Sequence, residues 1–278
     1  MDFSEILKSA LLGIVQGITE WLPISSTGHL IILKNFLQLR VSESFWNLFL
    51  VVVQLGSVLA VINLYFKKLN PFDYKKSSSE KRESLNLWCK VIVGSVPVAI
   101  FGFFLDNLIK NITSNSKISI AIVALTLIVY GIIFILIERE KVSPIIRNFK
   151  NLSYRHAFLV GCFEVLSLVP GTSRSGSTIL GAMFLGASRT LSAEFSFFLS
   201  IPAMFGASFI RLFKYILVYG FSFTSLELLI LLAGTLMAYI ISIFAIKFLT
   251  SYIKKKSFKI FGVYRIMLGL ALVLYLFF

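Results

Sequence analysis

Two stretches, Pro23-Ile-Ser-Ser-Thr-Gly-His29 and Pro170-Gly-Thr-Ser-Arg-Ser-Gly-Ser-Thr178, place hydroxyls, glycines and a histidine or arginine in the middle of otherwise apolar runs. Each follows a carboxylate in the same run, Glu20 before the first and Glu164 before the second. Irregular backbone at membrane depth is tolerated only inside protein or beside a polar cavity. A charge there costs about 2.5 to 3.5 kcal/mol on insertion scales. Both breaks therefore read as functional.

Ahead of the first break, Gly13, Gln16, Gly17 and Glu20 fall at i, i+3, i+4 and i+7 and share one helical face. The break itself offers Ser25, Ser26, Thr27, Gly28 and His29. Glycine and an interrupted helix free backbone amides that bind anions. The imidazole of His29 suits proton transfer at ambient pH, and a serine within its reach becomes a nucleophile. In the second break Arg174 stands among Thr172, Ser173, Ser175, Ser177 and Thr178. Its planar donors match phosphate oxygens in pairs, so phosphate or diphosphate is the natural guest. A carboxylate beside a diphosphate points to a bridging divalent cation, because Mg²⁺ is commonly held by one or two carboxylates plus phosphate oxygens. For Arg265, inside the last apolar run, snorkelling to the interface and a site role both stay open, and His156 reads as structural.

The rest of the chain must hold these groups in lipid. With 278 residues, 57% of them hydrophobic and 14% charged, the composition lies outside that of soluble domains and describes an integral membrane protein. The N-terminus has no basic n-region and no small-residue cleavage site, so the first apolar segment is expected to stay in place. Cys89 and Cys162 are too few for a disulfide framework or a zinc site and read as packing residues. The net charge of +14 sits in short connections between apolar runs, the pattern of cytoplasmic loops and not of a nucleic-acid-binding face.

An all-α, polytopic fold follows. Six runs are long enough to span: Trp46–Phe66, Trp88–Leu105, Ile118–Ile137, Ala193–Ile216, Leu226–Lys247 and Phe258–Phe278. Ile6–Leu39 and Tyr154–Gly186 each hold two shorter arms around a break and read as re-entrant hairpins. The order is hairpin, three spans, connector, hairpin, three spans. Shifting by 148 positions pairs Gly13 with Gly161, Gln16 with Glu164, Ser25 with Ser173 and Gly28 with Gly176. Shifting by 150 pairs Phe45 with Phe195, Gly56 with Gly206 and Tyr65 with Tyr215. The pattern predicts a single membrane domain, 1–278, of two repeats, 1–140 and 150–278, joined by a connector over 138–153. Three crossings invert the second repeat, so the two tips are expected to meet near the midplane. The 67–87 loop, the connector (with Arg139 and Lys141) and Lys254-Lys-Lys256 carry most of the basic residues, which puts that side in the cytoplasm and both termini outside. Residues 70–86 read as a mobile loop.

The segments Gln16-Gly-Ile-Thr-Glu20, Leu22-Pro-Ile-Ser-Ser-Thr-Gly-His29 and Pro170-Gly-Thr-Ser-Arg-Ser-Gly-Ser-Thr178 closely resemble the two signatures of the bacitracin-resistance type undecaprenyl-diphosphatases. The resemblance extends to Gln54-Leu-Gly-Ser57 and Tyr264-Arg265. It implies removal of the terminal phosphate of undecaprenyl diphosphate in a bacterial inner membrane, recycling the lipid carrier of cell-wall synthesis. It also implies a site open to the outer face, a divalent cation (Mg²⁺ or Ca²⁺), and bacitracin competing by binding the substrate and not the protein. Carried over by position, Ser26 is the nucleophile, His29 its proton-transfer partner and Glu20 the essential carboxylate. Arg174, Ser173 and Thr178 then hold the diphosphate, with Ser25, Thr27 and Gln16 lining the substrate site. Gln16 is the neutral variant of the first motif position, so a second metal carboxylate is sought in Glu164, beside Glu20. The alternative is a polyprenyl-phosphate transporter or flippase, since inverted repeats with broken hairpins also build transporters.

Overall fold

The computed structural model describes residues 3–34, 37–113, 115–138 and 143–276. Arg139 and Lys141 of the connector, and Phe278 at the end of the last expected span, lie outside the described residues. Among the described residues the chain is helical, with one isolated bridge between Ile146 and Ala187 in place of any sheet.

The first break separates α1 (Phe3–Thr19) from α2 (Ser26–Lys34). Three helices follow the expected first spans: α3 (Glu43–Leu64), α5 (Ser78–Thr113) and α6 (Ser116–Ile137), with the single turn α4 (Phe66–Leu69) between the first two. The second break separates α7 (Tyr154–Val165), extended by a 3₁₀ turn at Leu166–Leu168, from α8 (Arg174–Phe184). The chain ends in α9 (Arg189–Tyr219), α10 (Ser225–Lys255) and α11 (Lys259–Tyr275). Side-chain caps set several starts. Ser42 accepts from Phe45 N at 3.2 Å to open α3, and a capping box between Thr224 and Glu227 opens α10.

Among the described residues five helices are long and apolar enough to cross a membrane: Glu43–Leu64, Ser78–Leu105, Ser116–Ile137, Arg189–Tyr219 and Ser225–Lys255. The described part of the sixth expected span, α11, has 17 residues. The arms around the breaks are short, with 9 residues in α2, 12 in α7 and 11 in α8. Of residues 70–86, expected as a mobile loop, 70–77 form turns while from Ser78 onward the chain is helical. α5 begins at Ser78 because Ser77 and Glu80 cap it reciprocally, Ser77 N donating to Glu80 Oε2 at 2.7 Å and Glu80 N to Ser77 Oγ at 3.3 Å. Cys89 and Cys162 are exposed, not packed, because each falls on an outward face of its helix.

Close packing joins distant parts of the sequence. α1 lies on α10 so tightly that a Cβ at Gly13 would stand 2.2 Å from Gly234 O, and α7 lies on α5 so that a Cβ at Gly161 would stand 1.9 Å from Gly94 O. Only glycine permits such backbone approach, which lipid-embedded helices use in place of a hydrophobic drive. Of the largest buried apolar side chains, Trp21, Phe134, Phe195, Phe197, Phe198 and Phe258 belong to one core and Phe45 and Phe49 to a second.

Candidate active site

The first arm ends on its polar face. Gln16 Nε2 donates to Glu20 Oε2 at 2.8 Å, both side chains buried, so the amide aims and steadies the carboxylate. Beyond Trp21 and Pro23 the chain turns at Ser25, whose φ of 72° lies in the left-handed region, and α2 starts at Ser26. The second break repeats this geometry. Ser173 has φ 67°, its hydroxyl accepts from Gly176 N at 3.2 Å, and α8 starts at Arg174. Ser25 and Ser173 are the non-glycine residues with positive φ among the described residues, and they stand 148 positions apart. Such backbone is strained for L-residues and persists where the surroundings enforce it.

The two breaks converge. Arg174 Nη2 donates to Glu20 Oε1 at 3.2 Å while its Nη1 donates to the carbonyl of Ser196 on α9 at 2.8 Å. The guanidinium also lies 5.7 Å from the ring centre of Trp21. Arg265 reaches in from α11, fully buried, and fastens both turns through their carbonyls. It donates to Pro23 O at 3.2 Å and to Gly171 O and Thr172 O at 3.0 Å each. Ser175 Oγ adds a long contact to Leu22 O at 3.5 Å.

A cavity of about 230 Å³ opens at this junction. Glu20, Ser26 and Thr27 line it from the first break, and Gly171, Ser173 and Arg174 from the second. Thr19, Gln54 and Ser167 add polar wall, while Ala203, Met204 and Ala207 of α9 add an apolar one. Both α2 and α8 begin at this cavity, so the positive ends of two helices flank it together with the Arg174 charge, although Ser25 Oγ and Ser173 Oγ already cap the amides of Gly28 and Gly176. Such a positive surface suits an anion with several oxygens.

The remaining expected residues sit behind the wall. Thr178 Oγ1 donates to Arg174 O at 2.9 Å and shares a 2.6 Å bond with Ser196 Oγ, so it braces the start of α8. Ser25 is buried, its carbonyl 2.7 Å from His29 Nδ1. A carbonyl only accepts, so Nδ1 carries the proton and Nε2 of the neutral ring accepts from Tyr264 Oη at 2.7 Å. The rings of His29 and Tyr264 stack 5.6 Å apart. Both nitrogens of His29 therefore have partners other than Ser26. Glu164 is fully buried with neither carboxylate oxygen hydrogen-bonded to the described residues, and it is not among the residues lining the cavity.

Sequence reasoning overlooked Ser167, Ser196 and the partnership of Tyr264 with His29, and it assigned no role to Gln54. A signal for two of these exists. The 148-position shift takes Thr19 to Ser167 and Ser26 to Arg174, and the 150-position shift takes Gln54 to Met204, all six on the cavity wall.

For a divalent cation, the donor chemistry is one cavity carboxylate with hydroxyls around it. No cluster of three or more His, Cys, Asp or Glu side chains occurs among the described residues. A single carboxylate fits a cation that takes its other ligands from phosphate oxygens and water.

Several helices long and apolar enough to cross a membrane, with a polar cavity at two paired helix breaks, define a class of polytopic membrane proteins with an internal polar site. Within it, residues 9–271 match the family described as bacitracin resistance protein BacA, and the chain belongs to that family. It is 50% identical over 277 residues to an undecaprenyl-diphosphatase of Enterococcus faecalis (strain ATCC 700802 / V583), covering 99% of each chain. Over 273 residues it is 50% identical to an undecaprenyl-diphosphatase of Acetivibrio thermocellus and to undecaprenyl-diphosphatase 1 of Clostridioides difficile (strain 630), covering 98% of this chain and 97% of each relative.

Proposed function

We propose that this chain hydrolyses undecaprenyl diphosphate to undecaprenyl phosphate and inorganic phosphate. The observation that carries this reading is the Arg174–Glu20 pair at a cavity that also presents Ser26, in a chain 50% identical to undecaprenyl-diphosphatases along its whole length. The relatives' names favour hydrolysis over the transporter alternative.

In this reading the diphosphate lies between the N-termini of α2 and α8, with Arg174 and Ser173 on its oxygens and Thr27 at its edge. Thr178, Ser25 and Gln16 act from behind, bracing Arg174, His29 and Glu20 respectively. Ser26 Oγ attacks the terminal phosphorus and its proton passes to His29 Nε2, which exchanges Tyr264 for Ser26 or an intervening water. The bond from that phosphorus to the bridging oxygen breaks, leaving undecaprenyl phosphate. Water then releases phosphate from Ser26. When bound, a divalent cation (Mg²⁺ or Ca²⁺) neutralises charge on the phosphate oxygens. Glu20 would hold it; Glu164, buried and off the cavity wall, would serve only if the second break shifts to expose it.

The membrane arrangement in this proposal is two inverted repeats, each a re-entrant hairpin and three spans, in a bacterial inner membrane. Packing supports it. α3 lies against α9 and α6 against α11, equivalent partners, while α1 and α7 each pack on the middle span of the other repeat. The basic loops lie in the cytoplasm, the termini and the cavity mouth face outward, and bacitracin competes by sequestering the substrate.

The test is phosphate release from undecaprenyl diphosphate by the purified chain in detergent with Mg²⁺ or Ca²⁺, wild type against Ser26→Ala. Release by the wild type alone supports the proposal. Equal release by both removes Ser26 from the reaction, and none with either ion defeats the hydrolase reading.

A further inference from the structure

Resting on that reading, the geometry points to where the prenyl chain of the substrate leaves the site: sideways into the bilayer, across the Ala203–Ala207 stretch of α9. At about 230 Å³ the cavity is smaller than the roughly 300 to 1,000 Å³ used for drug-sized ligands, so it holds a diphosphate and not an undecaprenyl tail. The tail must cross a wall. Most of that wall is closed to it, because burying a polyprenyl chain against Glu20, Ser173, Arg174 or Gln54 would desolvate polar groups without return.

The α9 wall differs in three respects. Its lining residues, Ala203, Met204 and Ala207, are apolar and two of them are small. Ala207 lines the cavity and is itself exposed, so the cavity is open along this stretch of α9. Next to it Gly206 is exposed and faces open space, with no atom within 4 Å of where a Cβ would stand. The α9 surface beside this gap is apolar, with Phe205, Phe209 and Ile210 exposed, and across the cavity Leu166 and Val169 are exposed near Ser167 in sequence. Residues 203–210 lie in the middle of α9, a helix long and apolar enough to span, so in a bilayer this apolar surface would meet acyl chains. Gly206 and Ala207 thus form a low sill between a polar chamber for the head and lipid for the tail.

Gly206→Trp tests this, because the new side chain enters empty space and leaves the packing intact, with Gly206→Ala as the small control. The reading is the ratio of kcat/KM for undecaprenyl diphosphate to that for farnesyl diphosphate, whose short tail needs little of the path. The ratio should fall about tenfold in Gly206→Trp and hardly change in Gly206→Ala, the scale that a filled hydrophobic path commands. Equal losses on both substrates would overturn the proposal. A second measurement is independent of turnover: a diphosphate whose prenyl chain bears a photoreactive group should label peptides containing residues 203–210 in the wild type. Labelling confined to other helices would overturn it. If the wild type releases phosphate from neither substrate, the hydrolase reading fails, while the label still reports where the tail lies.

Discussion

Arg174 and Glu20, 154 positions apart in sequence, meet at 3.2 Å inside the membrane domain, each on a different helix break. The pair is the shortest statement of the architecture: two helix breaks meeting at one cavity. It also neutralises two charges that neither break could keep alone in low-dielectric surroundings.

Arg174→Ala should lower kcat for phosphate release by about 10² to 10³, as loss of a preorganised charge donor does. Arg174→Lys should recover little of it, because an ammonium cannot reach both Glu20 Oε1 and Ser196 O in the planar geometry used here. Steady-state kinetics at saturating substrate, with folding checked by thermal denaturation, measures both.

Glu20→Gln should raise the divalent-ion concentration needed for half-maximal activity, whereas Glu164→Gln should leave that concentration nearly unchanged, since Glu164 does not line the cavity. Activity titrated with Mg²⁺ after chelation distinguishes them. A strong effect of Glu164→Gln alone would place the cation beside the second break.

His29→Ala should cost about 10² to 10⁴ in kcat, the range of general acid–base catalysis. Tyr264→Phe removes only the hydroxyl on His29 Nε2 and should cost far less, with KM unchanged, because the stacked ring stays. Comparable losses in the two variants would make Tyr264 a participant in proton transfer.

Arg265→Met leaves three buried carbonyls, of Pro23, Gly171 and Thr172, without their charged donor. At about 1 to 3 kcal/mol for each stranded group, this should lower the midpoint of thermal unfolding in detergent by several degrees. Activity should fall with it, since the two breaks lose their shared fastening.

Much of this was legible in the sequence because lipid penalises polarity. Glu20, Ser26 and Arg174 stand out against apolar neighbours, and all three line the cavity. Depth within a wall was not legible. Nothing in the spacing separates Ser173, which faces the cavity, from Thr178, whose hydroxyl turns back to Arg174 O and Ser196. Partners supplied by remote helices were equally hidden: Arg265 finds three carbonyls and Tyr264 finds His29 only after α11 packs on α6. The cap at Ser77 and Glu80 was legible and passed over, because the lysines around it pointed to a loop.

The central claim is that the two breaks work as one unit through Arg174 and Glu20, and a double-mutant cycle on kcat/KM tests it most directly. Glu20→Gln, Arg174→Gln and the double variant are compared with wild type for phosphate release from undecaprenyl diphosphate. If the pair acts as a unit, the double variant loses about as much as the worse single one. Losses that multiply would mean two independent sites and would contradict the account.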